Sequence, residues 1–260
     1  MQTEPHIVLQ LIARLLAVLS VIQGVEFLRL SSVTGSQGVW RWADIESEFT
    51  NASVVTKQIL RFLLKDRHFF YLNLFRIFIA TAVLVSPQPV LLTILLLIHL
   101  ATLLRWLGNF NGGSDYLTSI LLLFTSLGLY FSDSKMPVIS LWYITFQVLF
   151  SYFKAGWLKL KTRNWQNGLA IREFLNSPAY EKIQIFDRLT KSSTINTFNS
   201  WVVIAFEVLF PLSLVNKDLA LIFMMAGLLF HLINAYVFGL NRFIFTWLAG
   251  YPAIYWCSLR

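Results

Sequence analysis

Eight strongly apolar runs alternate with polar segments along the chain. A helix that crosses a bilayer needs roughly 20 predominantly apolar residues, and the runs are close to that length. The pattern therefore predicts an all-α, polytopic membrane bundle of about eight transmembrane helices, with residues 1–260 forming a single domain. The runs cover residues 7–30, 69–86, 90–107, 116–131, 137–158, 200–215, 219–240 and 243–256.

Two long polar stretches, residues 31–68 and 159–199, separate groups of apolar runs, and the other connections are short. The mixed aromatic and acidic residues 39–49 suit a surface or interfacial segment. Residues 216–218 form a short hairpin connection, so the helices on either side are expected to be antiparallel neighbours. Glu207 precedes this connection and His231 follows it.

Composition narrows the class of protein. The chain is 57% hydrophobic and only 13% charged, against about 25% charged residues in a soluble domain. We therefore expect an integral, multi-pass membrane protein, in the cell membrane if the source is prokaryotic, with the lipid bilayer as a partner. The net charge of +8 is typical of basic residues that flank membrane helices, and no nucleic-acid partner is expected. Cys257 is the only cysteine and the histidines lack ligand spacing, so no metal is expected.

Ionisable residues inside the apolar runs are candidates for function, because each is costly there and usually serves a site or a buried pairing. His231 and Asn234 share a helix face, since residues three apart are helical neighbours. Glu207 and His231 differ in depth by about one turn when counted from the hairpin connection. We expect them to meet directly or through one water, as a structural clamp or as part of a ligand site. The ionisable residues in the runs are Arg14, Glu26, Arg76, His99, Glu207 and His231.

The run that ends near residue 158 continues into a basic and aromatic segment, with four cations and two tryptophans. Such a segment is typical of a membrane helix that leaves the bilayer through an interfacial collar, where lysines extend to the head groups. The other interpretation is that one lysine is held at the boundary for chemistry. The residues are Lys154, Trp157, Lys159, Lys161, Arg163 and Trp165.

Three motifs occur together in this chain. They are "NGGSDYL" at residues 111–117, "FKAGWLKLKTRNWQNG" at residues 153–168, and "EVLFPL" at 207–212 followed by "FHLINAYVFGLNRFIFTWLAGYP" at 230–252. Together they resemble the HTTM superfamily, the horizontally transferred transmembrane domain whose best-known member is vitamin K-dependent gamma-carboxylase. The likeness extends over most of the chain from about residue 69 onward.

The resemblance implies a catalytic site and a cofactor. Lys159 matches the position of the lysine that deprotonates reduced vitamin K in the carboxylase, and His231 is the second catalytic candidate. Desolvation and the like charges of Lys161 and Arg163 would disfavour the protonated form of Lys159, as a general base near neutral pH requires. Reduced vitamin K or another quinol is the implied cofactor. The residues expected to bind it are Glu207, Asn234, Asn111, Ser114 and Trp157.

Two differences from the carboxylase bear on the activity. Gly113 stands beside Ser114 and Asp115 where the turn of the carboxylase offers a histidine. The sequence also ends at Arg260, without the large carboxyl-terminal domain that holds the peptide substrate of the carboxylase. The expected function is therefore a membrane enzyme, carboxylase-like or quinol-dependent, that acts on a lipid-soluble cofactor or a membrane-proximal peptide.

Two other classes of function stay open at this stage. The chain could be a non-catalytic membrane scaffold or an immunity-like partner of a secreted peptide, because no complete catalytic constellation is evident. A transporter is less favoured, because inverted repeats and helix breaks near the bilayer midplane are not evident. Replacing Lys159 by arginine separates an enzyme from a scaffold, since charge is kept while basicity is lost.

Overall fold

A computed structural model describes residues 4–107, 112–177 and 191–260 of the chain. All eight apolar runs fall in helices, and no strand occurs in these three ranges. The predicted all-α class is therefore confirmed. The longer helices are α1 Pro5–Arg29, α2 Val54–Leu64, α3 Asp66–Val85, α4 Pro89–Arg105, α5 Gly112–Tyr130, α6 Met136–Lys161, α7 Ser193–Leu209, α8 Lys217–Phe238 and α9 Asn241–Cys257. Short helical turns occupy Ser31–Thr34, Trp42–Ile45, Glu46–Phe49, Arg163–Gln166, Leu169–Leu175 and Phe210–Leu214.

Within the described ranges, five helices are long and apolar enough to cross a membrane. They are α1, α3, α6, α8 and the segment Ser193–Leu214, which joins α7 to the short turn after it. Helix α4 is apolar but has only 17 residues, so it spans roughly 26 Å at 1.5 Å per residue. The protein is thus an integral membrane helical bundle, in which five of the eight predicted spans meet the usual length and hydropathy.

The contacts divide the chain into two compact units, Met1–Leu141 and Trp142–Arg260. The prediction of one domain over the whole chain stays a prediction. In the first unit, α1 packs against α3 and α5, and α4 packs against α5. An aromatic and aliphatic cluster, here called the end cluster, gathers where α1 and α4 end and α3 begins. Its members are Phe27, Trp42, Ile45, Leu60, Leu64, Phe69 and Trp106.

A buried arginine ties the polar stretch before α2 to the end cluster. The guanidinium of Arg105 donates to the carbonyl oxygens of Thr34 at 3.1 Å and Trp40 at 2.6 Å. It also lies 3.6 Å from a carboxylate oxygen of Asp66. That carboxylate accepts from the backbone N–H of Trp42 at 3.0 Å. Because a buried cation needs partners, these contacts fix residues 34–42 against the ends of the membrane helices.

The second unit contains the predicted hairpin. Pro211 lies in the short turn Phe210–Leu214 that follows α7, and the side chain of Asn216 caps α8. It accepts from the backbone N–H groups of Asp218 at 3.1 Å and Leu219 at 2.9 Å. The turn Phe210–Leu214 packs against α8, and α8 in turn packs against α9. The ring centroid of Phe206 in α7 lies 5.6 Å from that of Phe230 in α8. The short connection at 216–218 therefore joins neighbouring helices, as the sequence predicts.

Candidate functional site

A buried ion pair joins α6 to α7 in the second unit. The ammonium nitrogen of Lys159 lies 2.7 Å from Oε1 and 2.6 Å from Oε2 of Glu207. The side chain of Glu207 is only 4% exposed and that of Lys159 is 19% exposed. Charge-assisted hydrogen bonds of this length are among the strong ones in proteins. The pair is therefore a fixed contact in which both carboxylate oxygens are used.

A glycine on α6 allows the two helices to come this close. A Cβ atom added at Gly156 would lie 2.7 Å from Cβ of Glu207 and 2.7 Å from the backbone nitrogen of Val208. Real Cβ atoms do not approach other heavy atoms so closely. Gly156 and Lys159 are three residues apart and so share a face of α6. The glycine makes the close helix contact, and the lysine reaches the carboxylate one turn later.

The segment after α6 covers the ion pair with an indole ring. Nζ of Lys159 lies 5.1 Å from the ring centroid of Trp165, a distance at which a cation and an aromatic face attract. The segment is held against the start of α7, where Ser200 donates to the carbonyl oxygen of Trp165. Thr197 donates to the carbonyl oxygen of Asn167 at 2.9 Å. These contacts place Trp165 beside the ammonium group.

A second glycine closes this segment. Gly168 has φ of 75°, a left-handed conformation that glycine adopts at no steric cost. A side chain there would overlap the backbone of Asn196 and Thr197. The glycine therefore lets the chain turn directly against α7 before the next short helix begins.

The remaining cations of the basic segment behave as an interfacial collar. Lys154, Lys161 and Arg163 are exposed, and Nζ of Lys161 lies 4.7 Å from the ring centroid of Trp157. The collar interpretation therefore fits three of the four cations, and a chemical role for Lys159 stays a prediction. Lys159 is the one cation of the four that is drawn into a buried pair.

The nearest charge to Lys159 differs from the one predicted. The sequence predicts desolvation of Lys159 and the like charges of Lys161 and Arg163 beside it. The structure instead places the carboxylate of Glu207 in direct contact with the ammonium group.

A second buried polar group lies on the same helix. The hydroxyl of Tyr152 lies 2.7 Å from Nε2 of His231 and 2.8 Å from the hydroxyl of Tyr251. All three residues are buried. The other imidazole nitrogen, Nδ1 of His231, has no hydrogen-bond partner among the described residues. The cluster therefore offers one buried hydrogen-bonding atom that the protein itself leaves unused there.

A glycine on α8 makes room for the two hydroxyl groups. A Cβ atom at Gly227 would collide with the hydroxyl oxygen of Tyr251 and lie 3.0 Å from that of Tyr152. Gly227 and His231 are four residues apart and face the same side of α8. Aromatic rings surround the imidazole, and the centroid of Trp247 is 4.9 Å away. The histidine is thus held in a dry aromatic setting.

No direct hydrogen bond joins Glu207 to His231 among the described residues, because the carboxylate binds Lys159 and Nε2 of the imidazole binds Tyr152. The predicted contact through one water stays a prediction. Both partners come from α6. Lys159 and Tyr152 are seven residues apart, so they share one helix face and are separated by about 10 Å along the axis. Glu207 contacts this face at Lys159, and His231 contacts it at Tyr152, two turns away. Lys159 contacts Glu207 and its side chain is 19% exposed, so it does not point into bulk water.

The other predicted binding residues do not join these contacts. Asn234 is half-buried, and its side chain has no hydrogen bond to another described residue. Trp157 is 42% exposed and stacks on Phe153 at 6.0 Å. Ser114 is buried in the first turn of α5, in the first unit. Asn111 lies outside the described residues. A role for these four in binding a cofactor stays a prediction.

Sequence reasoning missed Tyr152, Tyr251 and the two glycines at close helix contacts. A signal was present for part of the site, because Tyr152, Gly156 and Lys159 recur at positions i, i+4 and i+7 of one apolar run. That spacing places all three on one helix face. A tyrosine in a membrane helix is, however, common enough to pass as an interfacial residue.

Fold and site together define an all-helical membrane protein with a buried lysine–glutamate pair and an adjacent tyrosine–histidine cluster. The HTTM domain matches residues 117–257, which is more than half of the chain. The chain belongs to the HTTM domain family. The matched range includes Lys159, Glu207, His231 and both tyrosines of the cluster. Comparison with curated proteins and with solved structures yields no match.

Proposed function

We propose that this protein is a membrane enzyme related to the membrane domain of vitamin K-dependent gamma-carboxylase, with Lys159 and Glu207 as its proton-transfer centre. Its substrate would be a lipid-soluble quinol-type cofactor or a membrane-proximal peptide. The observation that carries the proposal is the bidentate ion pair between two largely buried groups. Burying two charges is costly, and perturbed ionisable groups of this kind cluster at functional sites.

The pair can act as a base only if its shared proton moves. With the proton on Nζ, Lys159 is an ammonium and has no lone pair to offer. Transfer of that proton to Oε1 or Oε2 of Glu207 leaves a neutral amine beside a neutral carboxyl group. The amine can then accept a proton from a hydroxyl group, so that an N–H bond forms as an O–H bond breaks. Glu207 thus holds the displaced proton during the step.

The surroundings of the pair suit an aromatic quinol. When bound, a quinol would supply an acidic hydroxyl group and reducing electrons. The indole of Trp165, 5.1 Å from Nζ, would contact the flat ring, and Lys159 would meet a hydroxyl group. The free Nδ1 atom of His231 would offer a second hydrogen bond. Asn234 and Trp157 are further candidates on the same unit, and Asn111 and Ser114 are implied by the family resemblance.

The test uses vitamin K hydroquinone as the probe. Purified protein in lipid nanodiscs is titrated with the hydroquinone, and tryptophan quenching reports binding. Consumption of the hydroquinone in aerated buffer reports turnover. We expect Lys159→Arg to bind the probe but to lose turnover about a hundredfold or more, the usual loss with a general base. Lys161→Arg is the matched control, because Lys161 is exposed on the same helix end, and it should keep both properties.

Two results would contradict this proposal. If wild-type protein neither bound nor consumed the hydroquinone, the cofactor class would be wrong. If Lys159→Arg kept the full turnover of a protein that does consume it, Lys159 would not be the base. The Lys159→Arg variant can also be tested in cells. The cellular phenotype should be lost if the protein is an enzyme and kept if it is a scaffold.

One observation favours a non-catalytic alternative. Both oxygens of Glu207 are already bound to Lys159, and a clamp between α6 and α7 needs nothing more. In that case we propose a membrane scaffold or an immunity-like partner of a secreted peptide, placed in the cell membrane of a prokaryotic source. Lys159→Arg would then preserve function, because arginine also forms bidentate pairs with carboxylates. Wild-type protein and the Lys159→Arg variant that capture equal amounts of the secreted peptide in a pull-down would support this alternative.

A further inference from the structure

A short amphipathic helix, α2, lies between the polar stretch and the membrane helix α3. Its N-terminus is capped by Ser53, whose hydroxyl accepts from the backbone N–H of Thr56 at 3.1 Å. Its last residue is Leu64, and only Lys65 separates it from the start of α3. Because α3 is long and apolar enough to cross the membrane, the C-terminal end of α2 lies next to the point where α3 enters it.

One face of α2 packs against the end cluster, and the opposite face is exposed. Leu60 and Leu64 are buried in the end cluster, which marks where α1 and α4 end and α3 begins. The helix therefore lies across one end of these membrane helices. The outward face consists mainly of large apolar side chains that are each more than half exposed, namely Val54, Val55, Ile59 and Phe62. Residues at these spacings lie on one side of a helix.

The helix that follows in the chain, α3, also has an exposed apolar surface. That surface carries Tyr71 and Phe78, both well exposed, as expected of side chains that face lipid. The apolar face of α2, which precedes this surface in the chain, is therefore also suited to contact lipid. Amphipathic helices of this kind lie in the interface with their apolar face in the acyl boundary.

A basic cleft opens at the junction of α2 and α3. It has a volume of about 550 Å³ and is lined in part by Ser31, Lys65, Asp66, Arg67 and His68. Lys65 and Arg67 are exposed, and neither has a salt bridge to a described residue. The one carboxylate in the cleft, that of Asp66, already lies 3.6 Å from the buried guanidinium of Arg105. The two exposed cations are therefore available to an anion from outside.

We propose that α2 is an in-plane membrane helix, and that the cleft after it holds the phosphate of an anionic phospholipid. The apolar face inserts among the acyl chains, while Lys65 and Arg67 contact the head group. The insertion of the apolar face and the binding of the head group support each other, because the two cations follow the apolar helix directly in the chain. Attraction of about 1 kcal/mol for each basic residue near an anionic leaflet corresponds to about a 30-fold preference for two residues.

Single spin labels on the full-length chain test the position of α2. Cys257 is the only cysteine, so replacing it with serine gives a background for labels at positions 55, 59 and 62. A label at Phe78 of α3 serves as the lipid-facing reference, and a label at Asp133 serves as the water-facing reference. We expect all three α2 labels to be reached by oxygen more than by a polar nickel reagent, as at Phe78.

Either of two other patterns would overturn the in-plane assignment. Labels reached mainly by the nickel reagent, as at Asp133, would show that this face meets water. Labels that are immobile and shielded from both reagents would show that another protein surface, such as a second copy of the chain, covers it.

A separate experiment tests the binding of a lipid head group in the cleft. The label at position 62 is measured in phosphatidylcholine vesicles with and without phosphatidylglycerol, and competition with soluble inorganic phosphate separates a lipid from a free anion. We expect phosphatidylglycerol to deepen the label in the wild type, and phosphate not to reverse the effect. The double variant K65Q/R67Q should lose this dependence, while Lys217→Gln, at another exposed lysine, should keep it. Equal depth in both lipids for the wild type would overturn the role of the two cations.

Discussion

Removing the charges of the Lys159–Glu207 pair one at a time should destabilise the protein unequally. Lys159→Met leaves a carboxylate that is only 4% exposed, and an unpaired buried charge of this kind costs about 3–5 kcal/mol. Glu207→Met leaves an ammonium that is 19% exposed and can extend toward the head groups. We therefore expect the second variant to lose less, on the order of 1–2 kcal/mol.

The double variant should be far more stable than the sum of the two losses. Two unit charges 2.6–2.7 Å apart attract by roughly 6 kcal/mol at an effective dielectric constant of about 20, and desolvation cancels most of this gain. A methionine pair of similar volume carries no such penalty. We expect the double variant to lie within about 1 kcal/mol of the wild type, so the coupling energy between the two sites is at least 3 kcal/mol.

The assay is unfolding in mixed micelles of mild detergent and sodium dodecyl sulfate, followed by the fluorescence of the nine tryptophans. Free energies of unfolding for the wild type, the two single variants and the double variant complete the cycle. Sites that do not touch usually add within about 0.5 kcal/mol. Additivity at that level would refute the reasoning, because it would mean that the two side chains are not paired in the membrane-embedded protein.

Two further variants test the close contacts of α6. Gly156→Ala places a methyl group 2.7 Å from Cβ of Glu207 and should lower the free energy of unfolding by about 1–3 kcal/mol. Gly112→Ala, where an added Cβ meets no atom within 4 Å, should not. Tyr152→Phe removes the hydroxyl shared by the imidazole and the second tyrosine and should cost about 1–3 kcal/mol. Tyr236→Phe, at a side chain that is 74% exposed, is its control, and equal losses in the two tyrosine variants would contradict the cluster.

The helices were predictable from the sequence because the bilayer imposes a simple requirement. A segment in hydrocarbon must satisfy its own backbone hydrogen bonds and be apolar, so hydropathy alone locates it. The exception is α2, which hydropathy does not find. It lies in the polar stretch 31–68, and an amphipathic helix carries too many polar residues on its other face to resemble a spanning segment.

The choice of partners at the site was harder to predict. In a soluble helix, the apolar stripe shows which face is buried. In a membrane helix, the faces toward lipid and toward the bundle are both apolar, so the sequence does not fix the rotation of α6. Lys159 was identifiable from its motif, and Glu207 from its position in an apolar run. Their contact depends on that rotation, and for this reason the sequence predicts His231, and not Lys159, as the partner of Glu207.

The spacing of the motif at residues 153–168 follows from the contacts of its side chains. These contacts show which residues of the motif are needed for packing and which are not. Gly156 and Gly168 are required by close backbone approach, and Trp165 covers the ammonium group. The close contacts of the two glycines would be kept with an apolar residue at position 159, and Trp165 could pack against such a residue as well. A charged pair at that position is costly to bury, and apolar residues of similar volume are often as stable or more stable. Stability therefore gives no reason for Lys159 and Glu207 to occupy these positions, which supports the proposed role of the pair in proton transfer.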